Sequence, residues 1–289
     1  VHSNPCPDVL VRIVFVGLSV QGKIPPMLRW FRFFSVWPLW ALHAMGWLGG
    51  WLAWVLSPTY RRRFLDNVRQ AGLGWRTVLG AVGQAGCMSA ELPRLWLGRA
   101  VPVRWADGAP ERVAGALQQG RGVVFLTPHL GCFEITAQAY AERFACVGKP
   151  MTVLFRPPKK AWLRDWVMQV RAREGLRTAE TSMAGVRQML RALKNGESVG
   201  LLPDQVPPLG QGVWAPFFGQ PAYTMTLSVR LAQQTGARVL LAWGERLSWG
   251  RGYRVHVQPL TSDLPQAPAL AAAVINRAME DLIMRCPQQ

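Results

Sequence analysis

A histidine and a glutamate lie five positions apart where an apolar strand gives way to a helix. Residues 127–134 read Thr-Pro-His-Leu-Gly-Cys-Phe-Glu, after the apolar run 122–126 and before the helix-compatible run 133–140. A neutral imidazole can take a proton from a hydroxyl near pH 7, and a carboxylate on its other nitrogen fixes the tautomer. We predict that His129 is a general base and that Glu134 is its carboxylate partner. By spacing alone, a core histidine beside a solvated glutamate is at least as good an interpretation.

Two further polar groups follow apolar strand candidates. Arg156 comes directly after 151–155, and Asp204 and Gln205 follow 198–202. Guanidinium suits phosphate or a developing oxyanion, and carboxylate with amide can bind hydroxyl groups. A solvated basic turn and an ordinary strand-to-loop transition are the alternatives.

Cys132 lies three positions after His129, so a cysteine–histidine pair, with the thiol as a covalent nucleophile, must also be considered. A cysteine on the first turn of a helix is more often simply buried. We therefore favour a mechanism without a covalent intermediate, in which His129 activates a hydroxyl group directly.

Together these motifs resemble the late acyltransferases of lipid A biosynthesis, the lauroyl/myristoyl transferase family, within the wider His-x4-Asp/Glu acyltransferases. That family usually reads His-Phe-Gly-Asn-Trp-Glu where this chain has Leu130, Cys132 and Phe133. The most specific match is 212–224, which contains Pro-Phe-Phe-Gly and later Ala-Tyr-Thr. The resemblance runs from about Arg61 to the end of the chain.

The resemblance implies a site and its substrates. Acyl carrier protein would donate the acyl group, and a membrane lipid, expected to be a lipid A precursor, would accept it. No cofactor and no metal are expected. The enzyme would work at the cytoplasmic face of the bacterial inner membrane. The residues expected to bind substrate are Arg156, Asp204, Gln205, Phe217, Phe218 and Thr224. Phe217 and Phe218 could contact the acyl chain, or they could equally pack into the hydrophobic core.

Composition favours lipid over nucleic acid as a partner. Lys and Arg outnumber Asp and Glu by 33 to 16, which gives a formal net charge of +17, and half of the residues are hydrophobic. A basic surface attracts polyanions, whereas tryptophan favours membrane interfaces, and six of the 14 tryptophans lie between positions 30 and 54. Neither zinc-ligand spacing nor a ribonucleoprotein-type motif occurs, so we expect no nucleic acid partner. Six basic residues could form either a docking face for acyl carrier protein or a solvated helix face. They are Lys159, Lys160, Arg164, Arg171, Arg173 and Arg177.

Strands and helices alternate from Gly122 onward, which predicts an α/β fold with a mostly parallel central sheet flanked by helices. The strand candidates are 122–127, 151–155, 198–202, 238–243 and 253–257. We divide the chain into an N-terminal membrane-associating segment, residues 1–59, and an acyltransferase catalytic domain, residues 60–289.

Residues 33–56 contain no charged side chain and are long enough for a membrane helix. Pro38 and the glycines at 46, 49 and 50 argue for a broken helix in one leaflet instead, and a buried core helix is a third possibility. Arg61, Arg62 and Arg63 place this end in the cytoplasm by the positive-inside rule. Residues 1–26 show no small-residue cleavage pattern, so no signal peptide is predicted.

The sequence is also compatible with two other functions. The same chemistry could acylate another membrane lipid, such as a lysophospholipid, an ornithine lipid or a glycolipid. A non-catalytic protein that binds anionic lipid through its basic face would share the composition.

Overall fold

The computed structural model describes residues 26–75, 79–145, 148–171 and 173–289, so the prediction for residues 1–26 lies almost entirely outside the described part. The helices are α1 (Pro26–Ser35), α2 (Leu39–Leu56), α3 (Pro58–Gln70), α4 (Leu79–Ala90), α5 (Leu92–Leu97), α6 (Ala109–Gln118), α7 (Phe133–Phe144), α8 (Ala161–Arg171), α9 (Met183–Lys194), α10 (Leu227–Thr235) and α11 (Pro268–Arg285). The strands are β1 (Val103–Trp105), β2 (Val123–Leu126), β3 (Met151–Phe155), β4 (Leu176–Glu180), β5 (Ser198–Leu201), β6 (Gly212–Phe217), β7 (Gln220–Met225), β8 (Arg238–Arg246) and β9 (Tyr253–Pro259).

Seven strands form one sheet in the order β1-β9-β8-β2-β5-β3-β4. Strands β8, β2, β5, β3 and β4 are parallel, whereas β9 runs antiparallel to β8 and pairs with β1 at the edge. The prediction of a mostly parallel sheet is confirmed, and each predicted strand is present. The sequence does not predict β1, which has three residues, β4, which is mostly polar, or the β6–β7 hairpin, whose strands each contain a proline that argues against a strand.

Alternate residues of the central strand β2 face opposite sides of the sheet, as the two-residue period of a strand requires. Val123 and Phe125 pack under α6 and α7, whereas Val124 and Leu126 pack against α9, α10 and α11. All four side chains are buried, so helices cover both faces. This burial explains why the strand reads as a continuous apolar run.

The apolar N-terminal segment forms two helices. The continuous helix considered for 33–56 is interrupted, since α1 ends at Ser35 and α2 begins at Leu39 after Pro38. Proline has no amide hydrogen and disfavours a helical residue before it. Among the described residues, α2 is long and apolar enough to cross a membrane by length and composition, and 22% of it is buried.

Helix α2 packs closely on α4 because small residues line their contact. A Cβ atom at Gly46 or Gly50 would collide with the α4 backbone, and one at Gly86 would collide with α2. The N-terminal segment is thus joined directly to helices that lead into the sheet. The domain boundary between residues 59 and 60 stays a prediction.

Candidate functional site

Parallel strand register brings His129 and Asp204 together. Leu126 of β2 pairs with Leu201 of β5, and each of the two polar residues lies three positions beyond its strand. Equal offsets from paired positions place both side chains at the carboxyl edge of neighbouring strands. In open α/β sheets this edge is where ligands bind.

Asp204 holds His129 through two hydrogen bonds. Its Oδ1 lies 2.8 Å from Nδ1 of His129, and its Oδ2 accepts from the backbone N–H of His129 at 2.7 Å. With Nδ1–H donated to the carboxylate, Nε2 keeps its lone pair. The side-chain amide nitrogen of Gln205 lies 3.2 Å from Nε2. The histidine side chain is 28% exposed.

Glu134 has different partners from the one that we predicted. Its carboxylate forms an ion pair with Arg171 and accepts from the indole N–H of Trp96 at 3.4 Å. The Arg171 guanidinium also lies over the Trp96 ring, 5.0 Å from the centroid. The carboxylate that contacts the His129 ring is therefore Asp204, because the first turn of α7 directs Glu134 toward α5 and α8. From the sequence, Arg171 belonged to a basic set interpreted either as a docking face or as a solvated helix face.

Arg173, from the same docking set, also turns inward and donates to the carbonyl of Leu95. Arg164 and Arg177 instead form surface ion pairs with Glu180 and Glu197. A docking face for acyl carrier protein would therefore lack Arg171 and Arg173.

Gly131 allows the histidine loop to lie against β8. It has a positive φ of 58°, and a Cβ atom there would collide with the carbonyl oxygen of Gly244. The next amide, that of Cys132, donates to this same carbonyl at 2.8 Å. A glycine is required here both by backbone conformation and by space.

The Cys132 thiol is buried within this loop. Its side chain is buried together with the core under α6 and α7. Burial raises the pKa of the thiol well above its ordinary value, and the negative charge of Glu91 raises it further. The thiol is thus protonated at neutral pH, which is unfavourable for a nucleophilic role.

A buried ion pair supports the same loop from below. Arg246, at the end of β8, donates to both carboxylate oxygens of Glu91, at 2.8 and 2.7 Å, and to the carbonyl of Gly131 at 3.1 Å. Tyr253 donates to Glu91 at 2.8 Å, and Nε2 of His43 on α2 lies 3.1 Å from it. Burial alone would raise the pKa of Glu91, but Arg246 lowers it to about 2. Sequence reasoning missed this pair, because its members lie 155 positions apart.

Arg156 lies at the same carboxyl edge as Asp204, since β3 is the neighbour of β5. Its side chain is exposed, in agreement with a position open to substrate. Among the residues that the structure describes, no hydrogen bond or ion pair to it is found.

The other predicted binding residues lie in the β6–β7 hairpin, which packs on α11. Phe217 packs against the core under α9 to α11, and the amide of Phe218 donates to Glu280 at 2.7 Å. Thr224 is buried and accepts from Asn276 at 2.7 Å. None of the described contacts joins these three residues to His129, and their observed bonds hold the hairpin to the helix.

An apolar cavity lies between α7 and the sheet, beside the histidine loop. Thr127, Phe133 and Leu202 line it near the loop, and Glu134 and Arg171 provide its charged groups. The remaining lining comes from sheet and helix side chains, among them Phe125, Ala137, Tyr140, Met151, Val153, Leu176, Gly200, Ala242 and Val255. Such a lining suits an apolar ligand with one polar end.

Comparison with known proteins agrees with the motifs. The family model described as bacterial lipid A biosynthesis acyltransferase matches residues 98–289. The lipid A biosynthesis palmitoleoyltransferase of Escherichia coli K12 is 30% identical over 188 residues, which cover 64% of this chain and 59% of that protein. The lauroyltransferase of the same organism is 26% identical over 210 residues, 71% of this chain and 65% of that protein. A lipid A biosynthesis acyltransferase of Shigella flexneri is also 30% identical over 188 residues.

The chain spans less than two thirds of the length of these relatives, 59% and 65% of the two Escherichia coli proteins. The matched range of the family model includes His129, Glu134, Arg171 and Asp204.

Proposed function

Because this chain belongs to the bacterial lipid A biosynthesis acyltransferase family, we propose that it transfers a fatty acyl group from a thioester to a hydroxyl group of a lipid A precursor. The donor thioester is acyl carrier protein loaded with the fatty acyl group, and the reaction takes place at the cytoplasmic face of the bacterial inner membrane. The arrangement of His129 and Asp204 supports this proposal most directly.

His129 acts as the general base. Asp204 holds Nδ1–H, so Nε2 can accept the proton of an acceptor hydroxyl that takes the place now held by the Gln205 amide. The acceptor oxygen attacks the thioester carbonyl to form the new C–O bond and a tetrahedral oxyanion, which collapses as the C–S bond breaks. The leaving thiolate then takes the proton from the imidazolium, which balances the reaction.

Positive charge near the reacting carbonyl stabilises the oxyanion. Arg156 is exposed at the carboxyl edge of the sheet, where it follows β3, as His129 follows β2 and Asp204 follows β5. Its guanidinium can bind either the developing oxyanion or a phosphate of the acceptor.

The cavity beside α7, with a volume of about 90 Å³, receives the part of the acyl chain next to the thioester. Its walls are apolar, and Phe133, which lines it, contacts the His129 ring edge-on at a centroid distance of 4.9 Å. Glu134 and Arg171 lie at the cavity as a neutralised pair that orients the polar end of the donor. This assignment gives Glu134 a positioning role through Arg171 in place of the predicted contact with the histidine.

Membrane association rests on α2 and its surroundings. Large apolar side chains on α2 are exposed, among them Trp40, Leu48 and Leu52, and Arg62 and Arg63 follow on α3. An exposed apolar helix beside exposed arginines suits a bilayer with anionic headgroups.

A comparison of two histidine variants tests the proposal. Purified protein in mixed micelles would receive acyl carrier protein loaded with a fatty acid and a lipid A precursor, and products would be measured by mass spectrometry. We expect His129→Ala to lose transfer by about 10²–10⁴-fold. His256→Ala serves as the control, because His256 stacks on Trp243 and contacts Glu245 away from the site.

Undiminished transfer by His129→Ala would rule out this histidine as the base. Transfer to a lysophospholipid or a glycolipid, but not to a lipid A precursor, would keep the chemistry and change the acceptor. Lipid binding by the wild-type protein without any transfer would favour the non-catalytic alternative.

A further inference from the structure

A groove between α1, α2 and α4 has the size of a ligand site. Its volume is about 660 Å³, within the range of roughly 300–1,000 Å³ that is usual for ligand pockets. Among the described residues that line it, none is charged, and Tyr60 and Ser89 are the polar ones. Small residues make the space, since glycines and alanines form much of the α2 and α4 walls.

The groove opens on the apolar outer face of the protein. Trp30 and Met45 line it, yet they are 61% and 37% exposed. The adjoining surface of α2 is also apolar, because Leu48 and Leu52 are exposed there. A hydrocarbon chain could therefore enter from a lipid phase without crossing water.

Side-chain contacts connect one wall of the groove to the Glu134–Arg171 pair. Phe31, which lines the groove, stacks on Trp96 at a centroid distance of 5.9 Å and meets Trp166 edge-on at 5.1 Å. Trp96 in turn donates to Glu134. The groove is thus two side-chain contacts away from the Glu134–Arg171 pair.

Charges beside the groove indicate which lipid it takes. Arg29 and Arg32 are exposed on α1, and Arg62 and Arg63 are exposed at the start of α3. Arg61 lies over the Trp54 ring at 5.4 Å. An apolar groove near several guanidinium groups complements a phosphorylated lipid, since arginine binds phosphate well.

We propose that this groove binds a hydrocarbon chain of the phosphorylated lipid acceptor and so directs its hydroxyl group toward His129. This inference rests on the proposed function. The two substrates then have different binding sites, because the acyl chain of the donor occupies the cavity beside α7. The acceptor would then reach the site from the bilayer side and the donor from the aqueous side.

Gly49 permits a test that leaves the fold intact. It lines the groove, and a Cβ atom added there meets no atom within 4 Å, whereas Gly46 and Gly50 touch α4. Gly49→Trp should therefore fill the groove. Gly115→Trp on α6 is the matched control, since Gly115 is also helical, exposed and free of neighbours within 4 Å.

We expect Gly49→Trp to raise the KM for the lipid acceptor at least about tenfold, with the KM for the acylated donor unchanged. Gly115→Trp should behave like the wild type. An unchanged acceptor KM in Gly49→Trp, or an equal change in both variants, would overturn the proposal.

Crosslinking tests the same site without turnover. A lipid A precursor with a photoreactive group at one chain terminus should label peptides of α1, α2 and α4, and Gly49→Trp should reduce that labelling. Unlabelled precursor should compete, whereas excess phosphatidylglycerol should not. Equal competition by phosphatidylglycerol would show a structural lipid site and refute the acceptor assignment. Labelling of the groove in a protein that transfers no acyl group would refute the proposed function alone.

Discussion

Asp204 binds His129 twice, at the ring Nδ1 and at the backbone amide, with distances of 2.8 and 2.7 Å. The first contact orients the ring and stabilises the imidazolium, and the second fixes the loop that carries the ring. One carboxylate therefore controls both the tautomer and the position of the proposed base.

Replacing the Asp204 carboxylate by an amide removes its negative charge while keeping the size and shape of the side chain. We expect Asp204→Asn to fold normally and to lower kcat by about 10²–10⁴-fold, because an amide can hold the wrong tautomer and does not stabilise the imidazolium. Asp263→Asn, in an exposed loop, is the control. A kcat within twofold of the wild type would leave Asp204 with a purely structural role.

Glu134 and Arg171 should behave as a coupled pair. Their side chains are 12% and 23% exposed, so removing one partner leaves the other charge poorly solvated. We expect Glu134→Gln and Arg171→Met each to lower activity and stability, and the double variant to lose less than the sum. A double-mutant cycle measures the coupling, which should be about 0.5–3 kcal/mol. Additive losses would contradict the pairing.

Gly200 offers a way to shorten the proposed acyl cavity. It lines the cavity, and an added Cβ would make only ordinary contacts with Met151 and Val153, 3.4–3.5 Å away. We expect Gly200→Val to shift the preferred donor toward shorter chains, with Gly200→Ala intermediate. Competition among donors of different chain length, read by mass spectrometry of the product, measures the shift. An unchanged preference would place the acyl chain elsewhere.

The buried pair between Glu91 and Arg246 should be essential for stability. The two side chains are 1% and 2% exposed, and breaking such a pair costs about 3–5 kcal/mol. We expect Arg246→Met to show this loss in chemical unfolding, whereas Arg69→Met, which breaks an exposed pair with Asp66, should change little. Equal effects of the two variants would contradict a special role for the buried pair.

The same pair predicts an acid dependence. The pKa of Glu91 is lowered from 4.5 to about 2 in the folded protein, so its contribution is present above pH 4.5 and is lost as the pH falls toward 2. The free energy of unfolding of the wild type should therefore decrease over this range. Glu91→Gln should show a smaller decrease there, and an identical slope would contradict the assignment.

Cys132 should be dispensable as a nucleophile. Because its thiol is buried and its pKa is raised, we expect Cys132→Ser to retain most transfer activity. Iodoacetamide should leave Cys132 of the folded protein unmodified, as read by peptide mass spectrometry. A covalent acyl group on Cys132 during turnover would reverse this conclusion.

The sequence predicted the central strands and most of the polar groups at their ends, because these features are local. Burial on both faces gives continuous apolar runs, and polar residues at the strand ends mark the carboxyl edge. Contacts between residues on different strands could not be predicted in this way, because they depend on strand order. The neighbours of β2 are β8 and β5, and not β3, the next strand in the chain. His129 was therefore paired with the nearby Glu134 and not with Asp204.

Arg171 was misplaced for a related reason. Helical periodicity put it on a basic face of α8, yet the last turn of that helix contacts Trp96 of α5 and Glu134 of α7. Only the packing of α8 and α5 reveals that this arginine faces inward.

The contact of His43 with Glu91 has a practical consequence. Helix α2, which we propose lies in the bilayer, is linked through this glutamate and Arg246 to the backbone that carries the base. A detergent that loosens the helix should thus slow turnover while the sheet is still intact. The choice of solubilising agent then becomes a variable of every rate measured on this protein.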